Sequence, residues 1–240
     1  MTTNRKSIEE ELAHRHDHWL FTPATYSHLK CTLPLIQEYV RGELLLDVGC
    51  GHMAIRREIE ALGMEYHGLD IRPIEGVQYV MDAQEMKGVL SDTFDAVLCL
   101  EVLEHVESPQ KVMREIHRVL RPGGALVLSV PHLSRIHDAP SDYLRFTSFG
   151  IAKLSAETGF KVIQTHARAG LISFLGHQVS TLLITSFWRI PVLKTIIWYI
   201  NAWLITRLSF AIDRWFPYSR ELFPLGYSVV ALKPLSPEVE

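Results

Sequence analysis

Residues 44–54 read LLLDVGCGHMA: three leucines, an aspartate and a valine, then a break into Gly49, Cys50 and Gly51. An apolar run of strand length that ends in an acid and a glycine turn marks a buried parallel strand delivering a loop to a ligand. Gly49-Cys-Gly-His-Met-Ala54 also satisfies the G-x-G-x-x-[GA] pattern of a dinucleotide loop, with Asp70 19 residues past Gly51, where an acid can take a ribose. Two kinds of ligand compete for such a loop: an anionic pyrophosphate, or a cationic group with no phosphate.

Outward from this stretch, apolar runs alternate with helical patterns, as expected of parallel strands joined by crossover helices. The spacing predicts strands at 44–48, 65–70, 77–81, 94–99, 125–130, 160–166 and 227–232, and helices near 53–62, 108–120 and 148–158. Ser108 is the candidate N-cap of the middle helix, Pro109 its first residue, and Pro122-Gly123-Gly124 its stop. This is a doubly wound, Rossmann-like α/β fold, in which ligands bind beyond the carboxyl ends of the strands where the topology reverses.

The charges near those strand ends favour the cationic ligand. Asp47, Asp70, Asp82 and Glu101 each fall at or just past the end of a predicted strand, and no Lys or Arg lies between Glu43 and Ile55. A pyrophosphate meets repulsion there; a ligand with positive charge is attracted. Over the whole chain, 24 basic and 27 acidic residues leave a net charge of -3, without the basic excess of a nucleic-acid binder. With 240 residues, 48% of them apolar, the chain can bury a full core. Cys31, Cys50 and Cys99 have neither disulfide nor zinc spacing, and MTTNRKSIEEELAHRHDHW has no apolar secretory core, so a reducing, cytosolic setting is expected. His14, His16 and His18 read as part of a solvated N-terminal helix rather than a metal site.

Together LLLDVGCG, GLDI (68–71), MDAQEM (81–86), FDAVLCLEVLEHV (94–106) and VLRPGGALVLSVP (119–131) resemble the class I S-adenosylmethionine-dependent methyltransferases. The resemblance covers about residues 40–170 plus the last strand. It implies a seven-stranded sheet whose last strand is antiparallel, and S-adenosylmethionine as cofactor. By position, Asp47, Gly49, Cys50 and Gly51 would cradle the methionine part. Asp70 would take the ribose hydroxyls, Ile71 would lie against the adenine, and Asp82 with the Ala83 N–H would face the adenine edge. Cys99, Leu100 and Glu101 would complete the methionine end. Met53 stands where the family pattern D-x-G-x-G-x-G has a third glycine, so its side chain is expected to point away from the cofactor.

Glu101, Glu104 and His105 share one side of a helix and resemble the E-x-x-E-H cluster that binds magnesium or a related ion in certain O-methyltransferases, including small-RNA terminal methyltransferases and enzymes of ubiquinone biosynthesis, where His132 or His137 would supply the further histidine needed. The same letters also suit a structural Glu–His pair, and that reading is preferred; no metal is assigned. For the acceptor, PHLSRIHDAPSDYLRFTSFG follows the fifth strand. His132 and His137 are candidate general bases, Tyr143 a candidate for orienting the acceptor and Arg145 for clamping an anion. Arg145 can equally pair with Asp142.

Between the sixth and seventh strands, residues 171–220 form a 50-residue apolar stretch with four of the five tryptophans and a net charge of +4, from Arg189, Lys194, Arg207, Arg214 and Arg220 against Asp213. Residues 195–206 are greasy but only 12 long, short of the ~20 that a bilayer span takes. Tryptophan and arginine on apolar helices suit the interface of an anionic membrane; a lid on the domain or on the second subunit of a homodimer is the other reading. The H-D-x-x-x-D-Y-x-R-F-T segment (137–147) with this insertion is similar to methyltransferases of cell-surface polysaccharide or glycolipid assembly.

The expectation is therefore an N-terminal helical cap (1–42), a methyltransferase domain (43–170 and 217–240) and a helical hydrophobic insertion (171–216). The enzyme would methylate an oxygen of a small-molecule, sugar or lipid-linked acceptor. It would be cytoplasmic, peripheral on the inner face of the cell membrane, with no nucleic-acid partner. The alternatives are a noncatalytic, membrane-bound interaction protein on the same scaffold, which the departure at Met53 allows, and an NAD-dependent reductase.

Overall fold

The computed structural model describes residues 20–188 and 190–235. The chain divides into two compact units. Of the described residues, 34–131, 140–166 and 227–235 form a sheet unit, and 20–33, 132–139, 167–188 and 190–226 form a helical unit. The helical unit is thus larger than the 171–216 insertion expected, because residues 20–33, 132–139 and the stretch up to 226 group with it. The HRHDHW histidines lie outside the described residues.

The sheet has seven strands: β1 (Leu44–Val48), β2 (Glu65–Asp70), β3 (Tyr79–Val80), β4 (Phe94–Leu100), β5 (Leu120–Pro131), β6 (Lys161–Arg168) and β7 (Gly226–Leu232). Their order is β3-β2-β1-β4-β5-β7-β6. β1 pairs in parallel with β2 on one side and β4 on the other, so the order reverses beside it. Leu45, Leu46 and Val48 are fully buried, as a strand covered on both faces requires. The Gly123 N–H donates to the Lys233 carbonyl and the Lys233 N–H to that of Gly124, which sets the far end of β7 beside the start of β5 and makes the last strand antiparallel. β5 begins earlier than the 125–130 expected: Leu120 pairs with Phe94, and a register shift between Phe94 and Ala96 absorbs the Pro-Gly-Gly turn.

The helices of this unit follow their sequence cues. α2 (Leu33–Tyr39) and α3 (Arg56–Ala61) are short. α4 (Pro109–Val119) starts on Pro109 and buries Val112, Met113, Ile116 and Val119, one stripe of a 3.6-residue period. Ser108 stands at its N-cap without a side-chain bond to the helix; its own N–H donates instead to Gln84 Oε1 at 3.0 Å. α5 (Ser148–Glu157) is capped by Thr147, which accepts from the Gly150 N–H at 3.0 Å.

In the helical unit, α1 (Pro23–Ser27) is fixed by a capping box between Thr22 and Thr25. α6 (Leu171–Phe187) packs against one continuous helix, Val192–Asp213, made of α7 (Pro191–Tyr199), a wider π-helical stretch (Ile200–Arg207) and α8 (Leu208–Asp213). α9 (Ser219–Leu222) follows. The 12-residue apolar run was bounded by the charges Lys194 and Arg207, but the helix passes through both and reaches 22 residues with a mean hydropathy of 1.3 over its best window. By length and composition it can cross a membrane.

Its burial is inverted relative to a water-soluble helix pair. Ser173, His177 and Ser180 of α6 and Asn201, Thr206, Ser209 and Asp213 of the long helix are buried. Gly176 lets the backbones approach: a Cβ there would stand 3.3 Å from both Ile205 Cγ2 and Ser209 Cβ. Leu175, Val179, Leu182, Ile196, Trp203 and Leu204 are exposed. Phe21, Ile184, Trp188 and Ile197 form a small apolar core, in which the Phe21 ring stacks on Trp198 at 4.7 Å.

Candidate active site

The loop after β1 turns on backbone conformations suited to glycine. Gly49 (φ 69°) and Gly51 (φ 51°) are left-handed, and so is Met53 (φ 53°), which carries a side chain in a region costing about 1 kcal/mol or more. A Cβ on Gly49 would stand 2.4 Å from Val102 Cγ2, whereas one on Gly51 would meet only Arg72 Nη2, at 3.7 Å. The loop is therefore closed at its first glycine and open at its second. Glu101, directly after β4, is also left-handed (φ 55°), so a strained non-glycine residue follows each of the two strands that flank the reversal, Met53 in the loop after β1 and Glu101 after β4.

The loop N–H groups decide between the two ligand types. Gly49 and Cys50 both donate to the Leu69 carbonyl, at 2.7 and 3.0 Å, Gly51 donates to Asp70 Oδ2 at 2.9 Å, and Met53 donates to the Cys50 carbonyl at 2.8 Å. A pyrophosphate cradle needs such groups turned toward the ligand. Here three of them hold the loop to β2 and the fourth closes a turn on Cys50, so the dinucleotide pattern is met in letters and not in hydrogen bonding.

The carboxylates are less charged than their number suggests. Asp47 is 4% exposed, and burial pushes its carboxyl up to about 7, against the hydrogen bond from Tyr66 Oη (2.6 Å) and with the Asp70 charge adding to the rise. Burial also works to raise Asp70, but hydrogen bonds from the Arg72 side chain and N–H, the Arg72 charge and the Gly51 N–H outweigh it and hold that carboxyl below the usual range. The Arg72 Nε–Asp70 Oδ1 distance is 3.0 Å. Burial, then the Asp47 and Asp70 charges, push the Cys50 thiol up to about 12 and keep it protonated. Four converging carboxylates thus become one near-neutral acid, one paired acid, and Asp82 and Glu101.

The other positions taken from the family resemblance lie as follows. Ile71, directly after buried Asp70, is 69% exposed, an apolar platform at a strand end. Asp82 is exposed and accepts from the Gln84 N–H at 2.8 Å, and Ala83 is buried beside it. Cys99 is fully buried in β4, where burial, then the charges of Glu104, Asp47 and Glu101, push its thiol up; Leu100 and Glu101 are half-buried. The Met53 side chain runs toward the β2–β3 connection, its Cε 3.2 Å from where a Cβ on Gly76 would stand.

Glu101 is not on a helix with Glu104 and His105, which lie in a three-residue 3-10 turn (Leu103–His105); His105 Nε2 stands 3.7 Å from Glu104 Oε1 and its Nδ1 2.6 Å from the Ser141 carbonyl oxygen. Of the acceptor-side residues, Tyr143 and Arg145 belong to the sheet unit, His132 and His137 to the helical unit. The Tyr143 N–H donates to the Glu104 carbonyl, and its side chain is 50% exposed. Arg145 takes the pairing with Asp142, two bonds of 2.5 and 2.8 Å to a buried carboxylate.

Sequence reasoning missed Tyr66 and Arg72. The first was detectable: Asp47 pairs with Gly68 and Leu45 with Tyr66, so Asp47 and Tyr66 share a sheet face, and Gly68 leaves room between them. The second depended on the turn after β2, for which the letters carry no signal.

A seven-stranded sheet in this order, with an antiparallel last strand and a strained glycine loop after β1, is the Rossmann-like methyltransferase fold. A family model described as "Methyltransferase domain" matches residues 46–128. The chain is 32% identical over 102 residues to a ubiquinone biosynthesis O-methyltransferase of Xanthomonas oryzae, covering 37% of this chain and 43% of the relative. It is 31% identical over 155 residues to the enzyme of that name from Pseudomonas paraeruginosa, covering 56% and 63%. The chain thus spans about half the length of the curated relatives it matches. An S-adenosylmethionine-dependent methyltransferase from Archaeoglobus fulgidus superposes with a TM-score of 0.61 at 18% identity, over 95% of this chain and 99% of that one. Phosphoethanolamine N-methyltransferase 2 of Haemonchus contortus, in complex with S-adenosylmethionine, gives 0.55 at 19% identity, over 91% and 56%. The match to a methyltransferase domain is thus confined to residues 46–128, and the methyltransferase assignment with S-adenosylmethionine as donor rests on that segment together with the fold.

Proposed function

We propose that this protein is an S-adenosylmethionine-dependent methyltransferase that methylates an oxygen of a sugar or lipid-linked acceptor, working peripherally on the cytoplasmic face of a membrane. The observation that carries the donor assignment is the spent loop: N–H groups at 49, 50, 51 and 53 that bond internally, beside carboxylates at 47 and 70. That arrangement suits a sulfonium and ammonium ligand and gives a pyrophosphate little to bind. The bound donor supplies an electrophilic methyl group. The chain contributes a backbone that approaches closely at Gly51, an acid at Asp70 for the ribose, an apolar seat at Ile71, and Asp82 with Ala83 for the adenine edge. His132, His137, Tyr143 and Arg145 are the acceptor-side residues of this proposal, with Tyr143 the most exposed.

The membrane part rests on the inverted burial of the helical unit. Apolar side chains along α6 and the long helix face outward while serines, a histidine, an asparagine and an aspartate are buried. Trp203 and Trp215 are 61% and 78% exposed, and the Arg207 guanidinium lies 3.7 Å over the Trp203 ring. Exposed tryptophans with arginine suit the headgroup level of an anionic bilayer. The triple substitution Trp203→Ser, Leu204→Ser, Trp215→Ser is expected to abolish co-sedimentation with phosphatidylglycerol liposomes; unchanged sedimentation of the folded variant would refute docking through this surface. The acceptor is tested by labelled-methyl transfer from S-adenosylmethionine into extracts of the source organism, with mass analysis of the product. Label in a lipid or glycan fraction supports the proposal. Absence of transfer to any fraction favours the noncatalytic alternative.

A further inference from the structure

A cavity of about 370 Å³ opens within the helical unit, remote in sequence from the cofactor loop. Tyr26 and Phe210 supply apolar wall, their rings edge to face with centroids 4.9 Å apart, and Lys30, Arg207, Arg214 and Arg220 line the rest. Among the described residues that line it, Asp213 is the one carboxylate, and it is occupied: its oxygens accept from the N–H groups of Gly170, Ile172 and Ser173 at 2.9, 2.9 and 3.1 Å, fixing the start of α6. The cations are not neutralised in the same way. Arg207 donates to the Ala202 carbonyl, and Lys30 lies 5.4 Å over the Tyr26 ring. Among the described residues none of the four pairs with a carboxylate. Buried Arg168 adds charge nearby: burial raises the Cys31 thiol, and Arg168 and Arg220 are the charges that pull it back.

Four cations line this one open pocket, Lys30, Arg214 and Arg220 exposed and Arg207 half-buried, and an anion of more than one charge can bridge them. Guanidinium forks match phosphate oxygens two at a time. An apolar wall beside the cations suits an anion attached to carbon chain. We propose that this cavity binds a phosphate or diphosphate group, held by Arg214, Arg220, Arg207 and Lys30, with the attached carbon against Tyr26 and Phe210. The site goes beyond the methyl-transfer reading and does not depend on it.

The test is calorimetry on the full chain with inorganic pyrophosphate, run beside a titration with S-adenosylmethionine. Saturable pyrophosphate binding is expected, weakened at least about tenfold in Arg214→Gln/Arg220→Gln and also reduced in Lys30→Gln, with S-adenosylmethionine affinity unchanged in both. Lys30 is an exposed side chain, so its variant tests the site even if the double variant fails to fold. Dihexanoyl phosphatidic acid, a soluble lipid phosphate, separates the sources. Binding tighter than pyrophosphate assigns a lipid headgroup, and binding no tighter assigns a free phosphate. Absence of saturable binding by either probe, or the same affinity in the variants as in the parent, overturns the proposal.

Discussion

Tyr66 Oη donates a 2.6 Å hydrogen bond to the carboxylate of Asp47, wholly inside the sheet unit and one strand away from the glycine loop. This bond moderates the cost of a buried acid at the end of β1 without removing it, since the Asp47 carboxyl is still pushed up to about 7. The consequence is a stability that depends on pH in an unusual direction for an aspartate. Between the ordinary carboxylate range and about 7, the native state keeps a proton that the unfolded chain has released, so stability falls as pH rises through that window. Asp47→Asn keeps an acceptor for Tyr66 and carries no charge. In chemical denaturation the variant's advantage over the parent is expected to grow between pH 4 and pH 8, by up to about 4 kcal/mol. A difference that stays flat across that range would show that Asp47 is not a buried, raised acid.

The same group links cofactor binding to protons. A ligand ammonium near Asp47 favours its ionised form, so donor binding is expected to release a fraction of a proton between pH 6 and 7 and to tighten as pH rises through about 7. Titrations of S-adenosylmethionine in buffers of different ionisation enthalpy measure this directly. Identical apparent enthalpies in all buffers would uncouple Asp47 from the donor.

Met53 presents the opposite balance: a left-handed backbone where glycine would be at ease, and a side chain packed toward Gly76. Met53→Gly relieves about 1 kcal/mol of backbone strain and loses a comparable packing term, so stability should move by less than about 1 kcal/mol. Because the thioether runs away from Gly51, S-adenosylmethionine affinity should change less than about threefold. A tenfold gain in affinity would mean that the methionine obstructs the site.

Asn201 is fully buried in the helical unit, and neither of its amide atoms has a hydrogen-bond partner among the described residues. An unsatisfied buried amide costs about 1–3 kcal/mol. Asn201→Leu is therefore expected to raise the midpoint of thermal unfolding of the full chain. A lowered midpoint would show that the amide is satisfied or needed there.

Much of this molecule was legible in its letters, for reasons that differ by region. β1 and β2 fell where LLLDV and EYHGLD predict them, because interior parallel strands are apolar runs with sharp ends. β5 begins at Leu120 rather than at 125, because Pro122-Gly123-Gly124 reads as the stop of the preceding helix while pairing of Leu120 with Phe94 carries the strand through it. The electrostatics of the loop were only half legible. Counting carboxylates gave the sign, but Tyr66 and Arg72 reach Asp47 and Asp70 through register and turn geometry that spacing does not encode. The length of the long helix is not legible in the apolar run 195–206 alone, because Lys194 and Arg207 flank that run without ending the helix, long side chains being tolerated on a partly exposed one. Arg145 kept the pairing with Asp142 that its i,i+3 spacing allowed.

The central claim, that the carboxyl ends of β1 and β2 hold a cationic methyl donor, is tested most directly by calorimetric titration of S-adenosylmethionine and of NADH into the parent and into Asp70→Ala. The account predicts that S-adenosylmethionine binds the parent more tightly than NADH and that Asp70→Ala weakens it at least about tenfold, near 1.4 kcal/mol. Preferential binding of NADH, or an S-adenosylmethionine affinity that Asp70→Ala leaves unchanged, would contradict it.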